Sequence, residues 1–242
     1  MELKTHKCPI KDESDEKINS EIFDEISETY DSVNHILSFG IDRFWRRRFV
    51  KPLKQLNDVV LLDIATGTGE VPKLLKNFNM SFIGIDPSQK MLNIASQKLK
   101  DIVEDKRLEL ILGSAENIPL KNNSVDIVSV TFGVRNFENI PQAFSEIYRV
   151  LKSKGKFMIL EFSLPKNKIT RGLYIFYLMH VLPLIGRIFT GNGKAYKYLH
   201  TSIICFAKNC DLSQELVDSG FKNIQIKKLS LGVVSIYSAE KE

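Results

Sequence analysis

From Val59 onward, short apolar runs alternate with stretches whose apolar residues recur every three or four positions. The runs Val59–Ala65, Met80–Ile85, Leu108–Leu112, Val125–Thr131 and Gly155–Phe162 read as strands covered on both faces. Between them Glu70–Phe78, Ser88–Ile102 and Pro141–Leu151 have helical spacing. That alternation predicts an α/β fold built on a parallel sheet with right-handed crossovers. Leu212–Ser219 then reads as a helix ended by Gly220. Ile224–Leu229 and Val233–Tyr237 follow as strands separated by Leu231-Gly232, an antiparallel pair at one edge. Upstream, Ile22–Val50 keeps helical spacing until Ser38-Phe39-Gly40 interrupts it, so two helices precede the sheet.

One segment fits neither pattern. Leu173–Phe189 is almost wholly apolar but is interrupted by His180, Pro183 and Gly186, and is flanked by Lys166, Lys168, Arg171, Arg187, Lys194 and Lys197. A membrane span needs about 20 apolar residues, so the segment is too short and too broken for one. Two readings stay open: a buried helical cap over the sheet, or an apolar lid that receives a greasy substrate near a membrane surface. The 242 residues are expected to form one domain over 21–242, with a helical insertion at about 166–208 and a mobile polar tail over 1–20.

Composition narrows the picture only a little. With 43% hydrophobic and 26% charged residues the chain is an ordinary soluble protein, and a formal charge of +5 does not choose between anionic lipid and nucleic acid. Cys8, Cys205 and Cys210 form no Cys-x-x-Cys pair and are odd in number, which argues against a zinc site and a disulfide framework and points to a reducing, cytoplasmic setting.

The candidate chemistry begins where the first strand empties into a glycine loop, Asp63-Ile64-Ala65-Thr66-Gly67-Thr68-Gly69. Gly67 and Gly69 let backbone approach a ligand where a Cβ would collide. The next strand is followed by Asp86, placed to take two ribose hydroxyls beyond the carboxyl ends of the strands. In a dinucleotide fingerprint a third glycine would stand at Pro72, and proline there fits only the first turn of a helix, which removes the pyrophosphate reading. The loop and acid instead resemble the first two motifs of class I S-adenosylmethionine methyltransferases. That resemblance implies a seven-stranded sheet of order 3-2-1-4-5-7-6. The Gly113-Ser114-Ala115 turn would border the adenine, and the exit of the fourth strand, Thr131-Phe132-Gly133-Val134-Arg135-Asn136-Phe137, would lie beside the transferable methyl group. The Asn or Asp followed by two prolines that marks methylation of exocyclic amines is absent from that exit, which argues against base amino-methylation.

Three separated regions carry a narrower resemblance. They are Phe23-Asp24, Tyr30-Asp31, Asn34, Ser38, Gly40 and Arg43-x-Trp45; Gly133–Phe137 through Tyr148–Lys152 and Leu160–Ser163; and Tyr198-Leu199, Ser202-Ile203, Gly220-Phe221, Leu229 and Gly232–Val234. Together they are similar to the UbiE/MenG/COQ5 family of quinone-biosynthesis C-methyltransferases. The resemblance implies S-adenosyl-L-methionine held by Asp63, Gly67, Thr68, Gly69, Asp86, Ser114, Ala115 and Thr131, and a polyprenylated quinol whose tail runs along the apolar segment. Glu70 stands where an Asp is usual, and Thr201 where Glu is common. Arg135 is expected to stabilise developing phenolate charge and Asn136 to orient the ring. Pairing of Arg135 with Asp31 or Glu161 is the competing reading. Tyr30, Asp31 and His180 are candidate acceptor contacts. Arg46-Arg47-Arg48 reads as a solvated helix face in preference to a contact with anionic lipid.

The segment Asn34–Asp42 looks more like the menaquinone branch than the ubiquinone branch, through Asp42. A non-catalytic cofactor-binding subunit is the alternative of a different class. Peripheral membrane contact and a homodimer are further expectations, whereas a metal site and a nucleic acid partner are not expected.

Overall fold

The computed structural model describes residues 35, 38, 40–184 and 193–242, with the side chains of 193–197 left aside. Its centre is a seven-stranded sheet: β1 (Val59–Ile64), β2 (Met80–Asp86), β3 (Leu108–Leu112), β4 (Val125–Thr131), β5 (Leu151–Phe162), β6 (Lys222–Leu229) and β7 (Val234–Glu240). The order is β3-β2-β1-β4-β5-β7-β6, as the resemblance implied. All pairings are parallel except β5 with β7 and β7 with β6, which finish one edge as an antiparallel pair.

Alternation along the strands sorts the core into two layers. Leu62, Ile64, Val128, Val130, Phe157 and Ile159 join one cluster, while Leu61, Ile127, Met158 and Leu160 join the other. Successive side chains point to opposite faces, so neither face of these strands is left to water. The helices around the sheet are α1 (Ile41–Val50), α2 (Glu70–Leu75), α3 (Gln89–Lys98), α4 (Lys100–Glu104), α5 (Ile140–Val150), α6 (Lys168–Phe176), α7 (Gly193–Asn209) and α8 (Leu212–Asp218).

The element boundaries differ from the sequence expectation in instructive places. Ser88–Ile102 is two helices, because the backbone leaves helical geometry at Leu99 (φ −118°, ψ 27°). Ser88 caps the first of them by accepting from the Met91 amide. Strand β5 starts at Leu151 rather than Gly155, since α5 passes directly into it and Leu151 pairs with Val125. At the front, Gly40 opens α1 in the left-handed region at φ 75°. The first helix expected over Ile22–Val50 lies outside the described residues, as do Tyr30 and Asp31.

Between β5 and α8 the described residues 168–184 and 193–209 are helical. Helix α6 runs into a single π-helical stretch, Tyr177–Val181. Leu178 and Leu182 pack on Ile203 of α7, with Phe162, Tyr174, Tyr177, Leu199 and Ile204 around them. The reading as a buried cap holds for this inner face alone, since α6 itself has no buried residue. Cys210 is a free, half-buried thiol. Among the described residues no helix is long and apolar enough to cross a membrane.

Candidate active site

The register of the central strands places Asp63 beside both Gly84 and Ser129. Its carboxylate is buried, accepting from Ser129 Oγ at 2.6 Å and Thr66 Oγ1 at 2.8 Å. Burial raises its pKa to about 6, against the lowering effect of those hydrogen bonds and of the Arg46 charge. Asp63 therefore faces inward and holds β1, β4 and the loop together.

The loop itself turns through Ala65 (φ 52°), Gly67 (φ 55°) and Gly69 (φ 80°). The two glycines have different reasons to be glycine. A Cβ on Gly67 would enter open space, with no atom within 4 Å, whereas one on Gly69 would lie 2.6 Å from Leu99 Cδ1. Gly69 thus serves helix packing, and Gly67 leaves the loop open. Asp86, also buried, accepts from the Gly67 amide at 2.8 Å and the Ser88 amide at 3.0 Å. Opposite, Lys98 donates to Glu70 and, at 3.3 Å, to Thr68 Oγ1. Burial pushes the Glu70 carboxyl up, but the Lys98 hydrogen bond and charge outweigh it and the net pKa is lowered.

Beyond β3, the Gly113 amide donates to the Asp86 carbonyl at 3.1 Å, so the turn carrying half-buried Ser114 and buried Ala115 sits against the end of β2. Beyond β4 the backbone packs against the glycine loop. A Cβ on Gly133 would come within 2.7 Å of the Ala65 Cβ. Arg46 reaches in from α1, donating to Thr131 Oγ1 at 2.8 Å with its guanidinium 5.2 Å from the centre of the Phe132 ring. The reading of three solvated arginines is corrected here: Arg47 and Arg48 are exposed, but Arg46 points into the site.

Arg135 is buried and pairs with fully buried Glu161. Its Nη1 donates to Glu161 Oε1 at 2.7 Å and to the Phe132 carbonyl at 2.6 Å, and its amide donates to Glu161 Oε2 at 3.3 Å. The Phe162 amide adds a fourth bond to this pair, to Oε1 at 2.9 Å. Next to it, Asn136 Oδ1 accepts from Tyr198 of α7 at 3.1 Å. Tyr174 was not singled out in the sequence, yet its hydroxyl is buried with no hydrogen-bond partner among the described residues. Its pKa is raised by burial and pulled back by the Arg135 charge. His180 lies elsewhere, exposed on the outer side of the helical segment with its ring 4.9 Å from that of Phe176.

The loops after β1, β2, β3 and β4 thus converge at the carboxyl ends of parallel strands, where open α/β sheets bind ligands. The fold and this arrangement define the class. A possible histamine N-methyltransferase from Thermotoga maritima superposes with TM-score 0.60 at 20% identity, covering 92% of this chain and 99% of that one. Haemonchus contortus phosphoethanolamine N-methyltransferase 2, in complex with S-adenosyl-L-methionine, gives 0.59 at 16% identity over 81% of this chain and 52% of that one. The fold is that of the S-adenosylmethionine-dependent methyltransferases.

Sequence comparison is more specific. Residues 10–241 match the ubiE/COQ5 methyltransferase family, and the chain belongs to it. It is 40% identical over 232 residues to a ubiquinone/menaquinone biosynthesis C-methyltransferase of Geotalea daltonii, covering 95% of this chain and 98% of that protein. It is also 40% identical over 219 residues to the demethylmenaquinone methyltransferase of Thermotoga maritima, covering 89% and 93%. S-adenosylmethionine is the methyl donor of this class. The residues present fit it: the space beside Gly67 is open, and a buried carboxylate stands at the end of β2 next to that space.

Proposed function

We propose that this protein methylates a ring carbon of a polyprenylated quinol, with demethylmenaquinol as the acceptor. The observation that carries the reading is the family match over 10–241 joined to the glycine loop, Asp86 and the Arg135-Asn136 pair. The named relative from Thermotoga maritima and the Asp42 signature favour the naphthoquinol. In the structure Asp42 accepts from Ser38 Oγ at 2.9 Å and pairs with His35 at 2.8 Å, so the signature acts as one bonded unit. The corresponding methoxy-benzoquinol of ubiquinone biosynthesis is the second acceptor to test, because the relative from Geotalea daltonii carries both names.

When bound, S-adenosylmethionine supplies an electrophilic sulfonium methyl. In our reading Asp86 takes the ribose hydroxyls, Ser114 and Ala115 border the adenine, and Gly67, Thr68 and Gly69 shape the passage between them. Asp63 supports that loop from beneath, and Thr131 closes it together with Arg46. A hydroquinone ring carbon becomes nucleophilic as its neighbouring phenol loses a proton, so the protein's task is alignment and charge stabilisation. No covalent catalyst is needed. Asn136, held by Tyr198, orients the ring. Arg135 supplies positive charge toward the developing phenolate, its field reduced by Glu161. The pair also pins the loop that carries Asn136.

The test is methyl transfer from radiolabelled donor by the purified protein, offered demethylmenaquinol and the benzoquinol in parallel. Label in the naphthoquinol at a kcat/KM at least ten-fold above the benzoquinol is expected. Preference for the benzoquinol would move the protein to the other branch. Donor binding without transfer to either would sink the enzymatic reading in favour of a non-catalytic subunit.

A further inference from the structure

We propose that the outer face of the helical segment after β5 is a docking surface for an anionic phospholipid bilayer. This goes beyond the acceptor, since it concerns where the protein sits and not what it methylates.

A helix on the surface of a soluble protein ordinarily turns polar residues outward. Here the inner side of the segment is already occupied, with Leu178 and Leu182 against Ile203. The outer side is apolar nonetheless. Ile169 is 75% exposed, Leu173 67%, Phe176 59%, Met179 47% and Leu184 60%. Positions 169, 173, 176, 180 and 184 recur at helical spacing, so these side chains form one stripe with His180 as its only ionisable member. Scattered exposed apolar residues need no explanation, but a contiguous stripe marks an interaction site.

Charge identifies the occupant. The 48 residues from Ser163 to Cys210 contain no Asp or Glu and seven Lys or Arg. The remainder of the protein holds 27 basic residues against 29 acidic, so the net positive charge of +5 arises wholly within this segment. Lys166, Lys168 and Arg171 stand exposed at the start of the stripe, and no acid between Ser163 and Leu184 opposes them. A protein partner would be selected by a mixture of charges, whereas an acid-free segment with basic residues at the start of an apolar stripe suits a surface of negative headgroups over hydrocarbon. With no described helix able to cross a bilayer, the segment would lie in the interface plane. Its length from Lys168 to Leu184 is roughly 25 Å at helical rise, room for the whole stripe to enter the headgroup boundary.

The experiment is flotation of the full-length protein with vesicles of phosphatidylcholine alone and with about one third phosphatidylglycerol, without acceptor. Binding to the anionic vesicles, at least ten-fold tighter than to the neutral ones and weakened by salt, is expected. The double variant L173E/F176E should lose that binding at least ten-fold while keeping the parental circular dichroism and melting temperature, because both side chains are exposed. The charge-only variant K168E/R171E should lose it several-fold and leave the melting temperature unchanged. Absent or equal binding to the two vesicle types would overturn the proposal. So would a concentration-dependent dimer dissolved by L173E/F176E, which would assign the face to a second copy.

Discussion

Replacing Glu161 by glutamine tests how the loop after β4 is held. The side chains of Arg135 and Glu161 are 4% and 0% exposed, so the guanidinium has almost no access to water if its partner's charge is removed. Breaking a buried pair by losing one partner costs about 3–5 kcal/mol. The glutamine of E161Q would keep the shape but place an amide N–H₂ where Oε1 or Oε2 accepts, against the Arg135 guanidinium, its amide or the Phe162 amide. A loss of about 3 kcal/mol is expected, and for a protein of this size that is roughly a 6–12 °C fall in melting temperature. The singles R135M and E161M each leave one charge buried, whereas the double variant R135M/E161M removes both at similar volume, so it should melt closer to the parent than either of them. The coupling is read from urea unfolding of the four proteins, and about 2 kcal/mol or more is expected. An E161Q melting temperature within about 2 °C of the parent, or a double variant no more stable than the singles, would refute the claim that this pair fixes the loop.

Two further predictions follow from the burial of single groups. Asp63 has its pKa raised to about 6 from 3.8, so the folded state binds its proton more tightly than the unfolded chain does between those values. Its charged form therefore costs stability at pH 7, a cost of up to about 3 kcal/mol that disappears as pH falls toward 4. The unfolding free energy of the parent minus that of Asp63→Asn should rise as the pH is lowered over that interval, and a flat difference would contradict the raised pKa. The Tyr174 hydroxyl, buried without a described partner, should be dispensable for stability. Tyr174→Phe is expected to melt at or above the parental temperature, since it removes a desolvated polar group worth about 1–3 kcal/mol. A destabilisation beyond about 1 kcal/mol would mean that the hydroxyl is hydrogen-bonded after all.

Local pattern carried the sheet, because strands buried on both faces write themselves as apolar runs and the glycine loop and Asp86 stand at their ends. What local pattern could not carry was partnership between distant segments. Gly67 and Gly69 read alike in sequence, and only the approach of Leu99 separates a packing glycine from an open one. The same residue breaks the helix expected over Ser88–Ile102, a tertiary demand that propensity does not record. Arg46 sits in a run of three arginines, and the signal that it turns inward was its place beside buried Trp45 and three positions before buried Phe49. Glu161 was weighed as a partner for Arg135, but 26 positions of separation left the choice to the fold.

The glycine loop after β1 and the loop after β4 are two ends of one hydrogen-bonded frame. Asp63 on β1 is bonded to Ser129 on β4, so the strands that carry the two loops are clamped just below them. Above the clamp, Ala65 and Gly133 leave no room for a second Cβ. Phe132, held at φ 59°, packs its ring 4.6 Å from Phe162 of β5, and the Arg135–Glu161 pair ties that same strand to the loop. Left-handed backbone at Ala65 and Phe132 costs about 1–2 kcal/mol each and persists only because these neighbours over-determine it. An in-line transfer between two ligands rewards such a frame, since a misplacement of about 1 Å can cost two orders of magnitude in rate. Three adjacent strands set the relative position of the loops before either ligand arrives. In this reading that is why the reaction needs a cation and an amide near the acceptor and no nucleophilic side chain.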